Sequence, residues 1–173
     1  LLMGCGSSSG TIDWYFDDYW LADSNLGDRA VHSHYPTEDG VNQDGDPSTP
    51  GDHYPLVAEE PEPDDDTSYV RLDDADERES YGVEAFKNPG ATIDAVMDVL
   101  DAKKADAGTA TIATHIRQGG TDYDGTEQAL TTSYARLKQV YETDPDTASA
   151  WTESGFNSAE FGVQKVAFLV RNY

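Results

Sequence analysis

Thr109-Ala-Thr-Ile-Ala-Thr-His-Ile116 is the stretch whose reading decides the fold. Five of its eight residues, Thr109, Thr111, Ile112, Thr114 and Ile116, are β-branched, and they alternate with Ala and His on either side of Thr111-Ile112, which favours a pleated strand over a helix. Turn clusters stand on either side: Asp106-Ala-Gly108 before it and Gly119-Gly-Thr-Asp-Tyr-Asp-Gly125 after it. Upstream, Thr92–Ala105 is ambiguous. Ile93, Val96, Met97 and Leu100 fall at helical spacing, and Ala, Met and Leu favour helix, so taken alone the segment reads as helix. Against that, the surrounding elements are strand-like, and Asp106–Gly108 followed by Thr109–Arg117 reads as a hairpin partner, so the residues alone leave the segment open. Ala129–Glu142 has the same double character, with Thr131-Thr-Ser-Tyr134 weakening the helix. Further strands are expected at Ser68–Leu72, Tyr81–Phe86 and Phe161–Val170, with a turn at Thr143–Thr147. Strands punctuated by Gly, Pro and Asp point to an all-β antiparallel sandwich or jelly roll with long acidic Pro-rich loops.

Composition narrows the function classes. The chain has 173 residues, 11 Lys plus Arg and 34 Asp plus Glu, giving a net charge of −23. Nucleic-acid binding needs a basic face to neutralise phosphates, and anionic membrane surfaces repel the same charge, so neither is expected. No apolar run has the length of a membrane span. High charge with a mean hydropathy of −0.65 approaches the signature of disorder. Three Trp, ten Tyr and five Phe supply the material of a core, and a folded protein is the reading. Asp dominates the acids, while Lys occurs only at 87, 103, 104, 138 and 165. Self-repulsion of this size opposes compaction in dilute buffer and fades in molar salt, where the screening length is ~3 Å. A protein adapted to brine is expected. Cys5 is the single cysteine, so no internal disulfide or cysteine metal cluster forms. Leu1-Leu-Met-Gly-Cys5 looks like a lipoprotein cleavage box without its charged and apolar leader, and the start at Leu1 points to a chain cut from a longer protein.

Two regions frame the organisation. Leu1–Ala22 reads as a hairpin: Ile12, Trp14 and Phe16 share one face, and the alternation slips at Asp17-Asp18. Arg29–Tyr35 reads as a strand. Residues 36–66 carry Pro36, Pro47, Pro50, Pro55, Pro61 and Pro63 among many acids and read as a long loop, with His53–Glu59 the one strand candidate. Proline at this density bars a central strand, and a loop of this length is commonly functional or interfacial.

The order of several motifs resembles a family of tailed-virus virion proteins. Phe16-Asp-Asp-Tyr-Trp-Leu-Ala-Asp23, Leu26-Gly-Asp-Arg29 and Tyr35-Pro-Thr-Glu-Asp-Gly40 open the resemblance. Asp52-His-Tyr-Pro-Leu-Val-Ala-Glu-Glu60, Asp64-Asp-Asp-Thr-Ser-Tyr-Val70 and Lys104-Ala-Asp-Ala-Gly108 continue it. Gly119-Gly-Thr-Asp-Tyr123, Ser133-Tyr134, Thr143-Asp-Pro145, Ala150-Trp-Thr152 and Glu160-Phe-Gly-Val163 carry it to roughly residue 170. The resemblance is to head fibres, head decorations and minor tail proteins, which commonly carry a concanavalin-like sandwich upstream. It implies that Thr92–Ala105 is a strand, that residues 1–23 are closing strands of such a sandwich, and that 24–173 is a β-sandwich virion domain. The excess of Asp over that of bacterial-virus members points to a virus of a halophile.

Candidate sites follow from residue type. Tyr35, Tyr54, Leu56 and Val57, with His53 at the rim, are the expected contacts of the 36–66 loop with an adjacent subunit, the loop ordering on assembly. Asn42, Asp44 and Asp46 place oxygens at alternating positions, as a Ca²⁺ loop begins. Pro47 stands where an EF-hand needs Gly, and His53 where it needs Glu, which leaves a looser Ca²⁺ or Na⁺ site against a plain solvated loop. His32 and His34 would share a strand face, with His53 and Asp52 as further ligands, although ordinary surface histidines explain them as well. Trp14, Trp20 and Trp151 are stacking candidates for sugar, weighed against a place in the core. No cofactor is required. Neither a Gly-x-Ser-x-Gly elbow, a P-loop nor a His-Glu-x-x-His motif is present, and the paired carboxylates lie adjacent in loops rather than across a cleft.

The expectation is therefore a non-enzymatic structural component of the virion surface, assembling with itself and with other virion proteins. The alternative is a receptor-binding module of a viral fibre that recognises host surface glycan.

Overall fold

The computed structural model describes residues 30–59 and 63–166, and the expectations for 1–23 and the Leu1–Ala22 hairpin lie outside them. The chain divides into a unit over residues 1–33 and one over 34–173, and the second is described below. Its described residues are all-β, with one short α-helix. In chain order the elements are β1 Pro36–Gln43, β2 Asp46–Pro47, β3 Val70–Arg71, β4 Arg78–Val83, β5 Val96–Ala102, β6 Thr111–Gln118, β7 Thr121–Asp124, β8 Gln128–Ala129, β9 Ala135–Tyr141, α1 Glu153–Ser158 and β10 Glu160–Lys165.

An open antiparallel sheet runs β1–β4–β10–β6–β7, with β8 also pairing β6. Tyr81, Phe161, Ile116 and Tyr123 lie at one level across β4, β10, β6 and β7, so their side chains share a face. That face carries the core. Ile116 is fully buried among Ile93, Trp151, Phe156, Ala159 and Phe161, with Val83, Phe86, Val96, Tyr123 and Tyr141 at its margin. Burying Ile116 stabilises the fold by about 2–3 kcal/mol relative to leaving it in water. The β5–β9 ribbon contributes Val96 and Tyr141 to this core, so ribbon and sheet pack as two layers, consistent with a sandwich. Gln118 pairs with Thr121, which leaves Gly119 and Gly120 as a two-residue hairpin loop with φ of +58° and +82°. Both values are costly for any residue with a Cβ, which is why glycine stands at each.

Several expectations are corrected. Thr92–Ala105 and Ala129–Glu142 hold the strands β5 and β9 and no helix, but β5 pairs with β9, Val96 opposite Tyr141 through Ala102 opposite Ala135, and not with β6. Residues 36–43, expected in a loop, form β1. It lies at the edge of the sheet, where a proline at the first position forfeits no ladder bond. Residues 30–35 form no strand, and His53–Glu59 holds a 3-10 turn at Tyr54–Leu56, with Pro55 fixing its φ. The unforeseen helix α1 starts at Thr152, whose Oγ1 accepts from the Gly155 N–H at 2.9 Å. Its Phe156 packs 5.5 Å from the Phe161 ring.

Candidate functional site

Polar chemistry collects in three places: under the 44–57 loop, on the outer face of the sheet, and on the β5–β9 ribbon.

The first is built on Glu79, which alternation in β4 turns to the core side at 1% exposure. Its Oε1 accepts from the Gly45 N–H at 2.6 Å, and its Oε2 lies 3.0 Å from His53 Nδ1 and 3.3 Å from the Tyr81 hydroxyl. Asp39 on β1 completes the arrangement, accepting the N–H groups of His53 at 2.9 Å and Tyr54 at 2.6 Å. Burial pushes the Glu79 carboxyl above its usual range, and the bonds from Gly45, His53 and Tyr81 oppose the shift without cancelling it. Burial first, and then the charge of Glu79, raise the Tyr81 phenol. This is a latch that fixes the loop within the chain.

On the outer face, Ser80, Gly162, His115 and Asp124 lie at one level across β4, β10, β6 and β7. A Cβ at Gly162 would run into the β4 backbone at Glu79, so only glycine permits this approach of the strands. The fully buried His115 ring has Nδ1 2.8 Å from Asp124 Oδ1 and Nε2 3.0 Å from Asn42 Nδ2. Arg78 donates to Asp124 at 2.8 Å and Arg117 to Asp122 at 2.7 Å. Burial raises both carboxylates, but for Asp122 the bonds from Arg117 and Asn42, and for Asp124 those from Arg78 and His115, outweigh it and hold each below the usual range. Ser80 donates to Glu160 Oε2 at 2.6 Å, and the same oxygen accepts the Val41 N–H at 2.8 Å. The network ties β1 across the sheet and encloses its histidine.

The ribbon behaves differently. Val96, Asp98, Leu100 and Ala102 are turned inward on β5, while Met97, Val99 and Asp101 face out. On β9, Arg136, Lys138 and Val140 face out. Asp98 Oδ2 is buried without a hydrogen-bond partner. Burial pushes this carboxyl up to about 7 against a single opposing bond from the Val99 N–H. On β9 the Tyr141 hydroxyl lies 2.7 Å from Thr114 Oγ1, and burial raises its phenol against the opposing bond with Thr114, with smaller raising contributions from the charges of Asp98 and Asp124. Met97, Val99 and Val140 are 49%, 40% and 51% exposed.

The structure redistributes the residues singled out in the sequence. His53, expected at an exposed rim, is buried on Glu79. Tyr54 and Leu56 are half-buried in the turn beside it, Val57 is exposed, and Tyr35 is held elsewhere, its N–H donating to Glu84. Asn42, Asp44 and Asp46 do not converge. Asn42 reaches His115 and Asp122, Asp44 accepts the Arg78 N–H at 3.1 Å, and Asp46 pairs with Arg71 at 3.3 Å. Among the described residues no group of three or more His, Cys, Asp or Glu is placed to hold a metal ion. Trp151 is corrected as a sugar platform. It is 4% exposed in the core, its Nε1 donating to the Tyr141 carbonyl at 2.9 Å, and a buried ring cannot stack on a ligand. Trp14 and Trp20 lie outside the described residues. A recess along α1 is lined by Glu153, Ser154, Asn157 and Ser158, and two of its polar groups are engaged. Asn157 accepts the Phe86 N–H and Glu153 the Gly90 N–H, which ties down residues 86–90. No described helix is long and apolar enough to cross a membrane.

Sequence reasoning missed Glu79, His115, Asp122, Asp124 and Asp98. Asp98 left a signal, being a charged residue in phase with Val96 and Leu100. Glu79 draws on Gly45 and His53 far back in the chain, and His115, Asp122 and Asp124, though neighbours across the β6–β7 hairpin, are completed by the distant Asn42 and Arg78, so none of these left a local signal. Compared with protein-family models, with curated proteins and with solved structures, the chain matches none of them.

Proposed function

We propose that this chain is a structural component of a virus particle, attached to head or tail, that acts by assembly and surface display and carries out no chemical step. The observation that carries this reading is the outer face of the β5–β9 ribbon. Three large apolar side chains stand in solvent there, on a chain whose net charge is −23. Exposed apolar surface on a strongly charged protein marks a contact with another macromolecule. The remaining polar machinery supports the same reading. The Glu79 latch and the His115 network spend their donors and acceptors on holding loops and strands of the chain itself. The resemblance of the motif order to that of tailed-virus virion proteins favours the same reading, and the acidity fits a halophilic host.

Detection of the chain in purified particles tests the role. Mass spectrometry should find it there, and a labelled antibody should decorate the particle surface. Its absence from particles overturns the reading. Salt tests the host. The melting temperature should climb steeply from dilute buffer to molar KCl, as repulsion is screened and apolar burial strengthens, and a flat or falling profile removes the brine adaptation.

A further inference from the structure

We propose that the outer face of the β5–β9 ribbon is a two-fold contact between copies of this chain. The inference rests on the assembly reading above and assigns its surface. The face consists of three rows fixed by the strand register: Met97 beside Val140, Val99 beside Lys138, and Asp101 beside Arg136. A two-fold axis lying between two such faces and parallel to the strands keeps each row at its own level and exchanges the strands, so that β5 of one copy lies over β9 of the other. Met97 then meets the partner's Val140, Val99 meets the methylene stem of the partner's Lys138, and Asp101 meets the partner's Arg136. Each contact occurs twice, as in any isologous interface.

The pattern is complementary to itself in both polarity and charge. Within one chain, Arg136 Nη2 and Asp101 Oδ2 are 2.8 Å apart, with side chains 51% and 26% exposed, so the pair stands on the surface where a second copy can share it. Lys138 adds the charge argument. Among the described basic side chains its ammonium is the one with no carboxylate or carbonyl partner: Arg71, Arg78, Lys87, Lys103, Arg117 and Arg136 hold carboxylates, and Lys104 and Lys165 hold carbonyl oxygens. With 34 acids in the chain, an unpaired cation amid apolar side chains fits an acidic partner, and a second copy is one. Six side chains per copy cover less than the ~800 Å² per partner of a stable dimer. The pairwise contact is therefore weak and gains strength in an array.

Sedimentation equilibrium in molar KCl, from micromolar to millimolar protein, tests this. The wild-type mass should rise with concentration from 18.9 kDa toward twice that value. Asp101→Arg and Arg136→Asp should each weaken association about tenfold or more, because like charges then face each other twice. An equimolar mixture of the two variants should restore it, because every Arg then faces an Asp across the axis. Val140→Asp, which leaves the ion pair intact, should also abolish association, and circular dichroism should show the wild-type fold for all three. Restoration on mixing cannot come from a folding defect within one chain. A wild type that stays monomeric, single variants that associate as wild type does, or a mixture that stays dissociated each overturn the proposal. A chain found in particles alongside any of these results leaves the virion reading standing and removes this interface alone.

Discussion

Glu79 on β4 and Asp98 on β5 are both carboxylates on the inward side of a strand, and what surrounds them differs in kind. Glu79 gathers a backbone N–H, an imidazole and a phenol on its two oxygens. Asp98 keeps one bond, from its neighbour's N–H, and leaves Oδ2 buried and unmatched. Desolvation raises both, but only in Glu79 do several hydrogen bonds return much of the cost. The contrast shows how a very acidic chain uses its charges. In the sheet a buried carboxylate organises a loop, whereas in the ribbon it is a liability that weakens an element already limited to two strands.

The comparison can be broken first at Glu79. Replacing it with Ala leaves His53 and the Gly45 N–H buried without an acceptor, and stability should fall by about 3–5 kcal/mol in chemical denaturation. Limited proteolysis should then open the 44–57 loop. A variant that melts as wild type and resists protease would mean the latch holds nothing.

Asp98→Asn should do the opposite. The native carboxyl titrates near 7 and the unfolded one near 3.8, so the folded state retains a proton that the unfolded state has lost. For this group stability is greatest below the unfolded value and falls as pH rises through the native one. The variant should gain about 2 kcal/mol over wild type above neutrality and lose that advantage near the ordinary carboxylate range. A difference that is the same at both ends of the range would show that Asp98 is not titrating in the fold.

Two smaller effects sharpen the contrast. Thr152→Ala removes the cap of α1 and should cost about 1 kcal/mol, read as a lowered melting temperature. Val140→Asp, on the solvent side of the ribbon, should change the stability of the isolated chain by less than ~0.5 kcal/mol. A larger loss would place Val140 in the core of the chain.

How far the fold could be read depended on where each signal resides. Thr109–Ile116 was legible because five β-branched residues in eight fit little else than a strand. Val96–Ala102 was harder, since Ile93, Val96, Met97 and Leu100 match helical spacing by coincidence. In the strand Val96 and Leu100 point in and Met97 points out. Its partner at 135–141 was out of reach, because register between strands separated by more than thirty residues is set by packing. Pro36 obscured β1, since the argument against proline holds for central strands and not for edges. The helix α1 carried its signal in Thr152 followed by Glu153, too short to stand out. Of the candidate sites, His53 was expected at an exposed rim toward an adjacent subunit and is instead buried on Glu79, a partner 26 residues away that its own neighbourhood does not reveal.

The position of β10 bears on how this protein is made. It is the last of the ten described strands in chain order, yet it sits between β4 and β6 at the middle of the sheet. On the ribosome, β4 and β6 emerge first and wait with bare hydrogen-bonding edges until residues 160–165 follow. At ~5–20 residues per second the wait for β4 is on the order of ten seconds. During that interval nascent chains on one messenger sit side by side with matching open edges, the arrangement most prone to cross-pairing. Mutual repulsion between chains this acidic opposes such pairing, so the charge that burdens the finished fold protects the unfinished one.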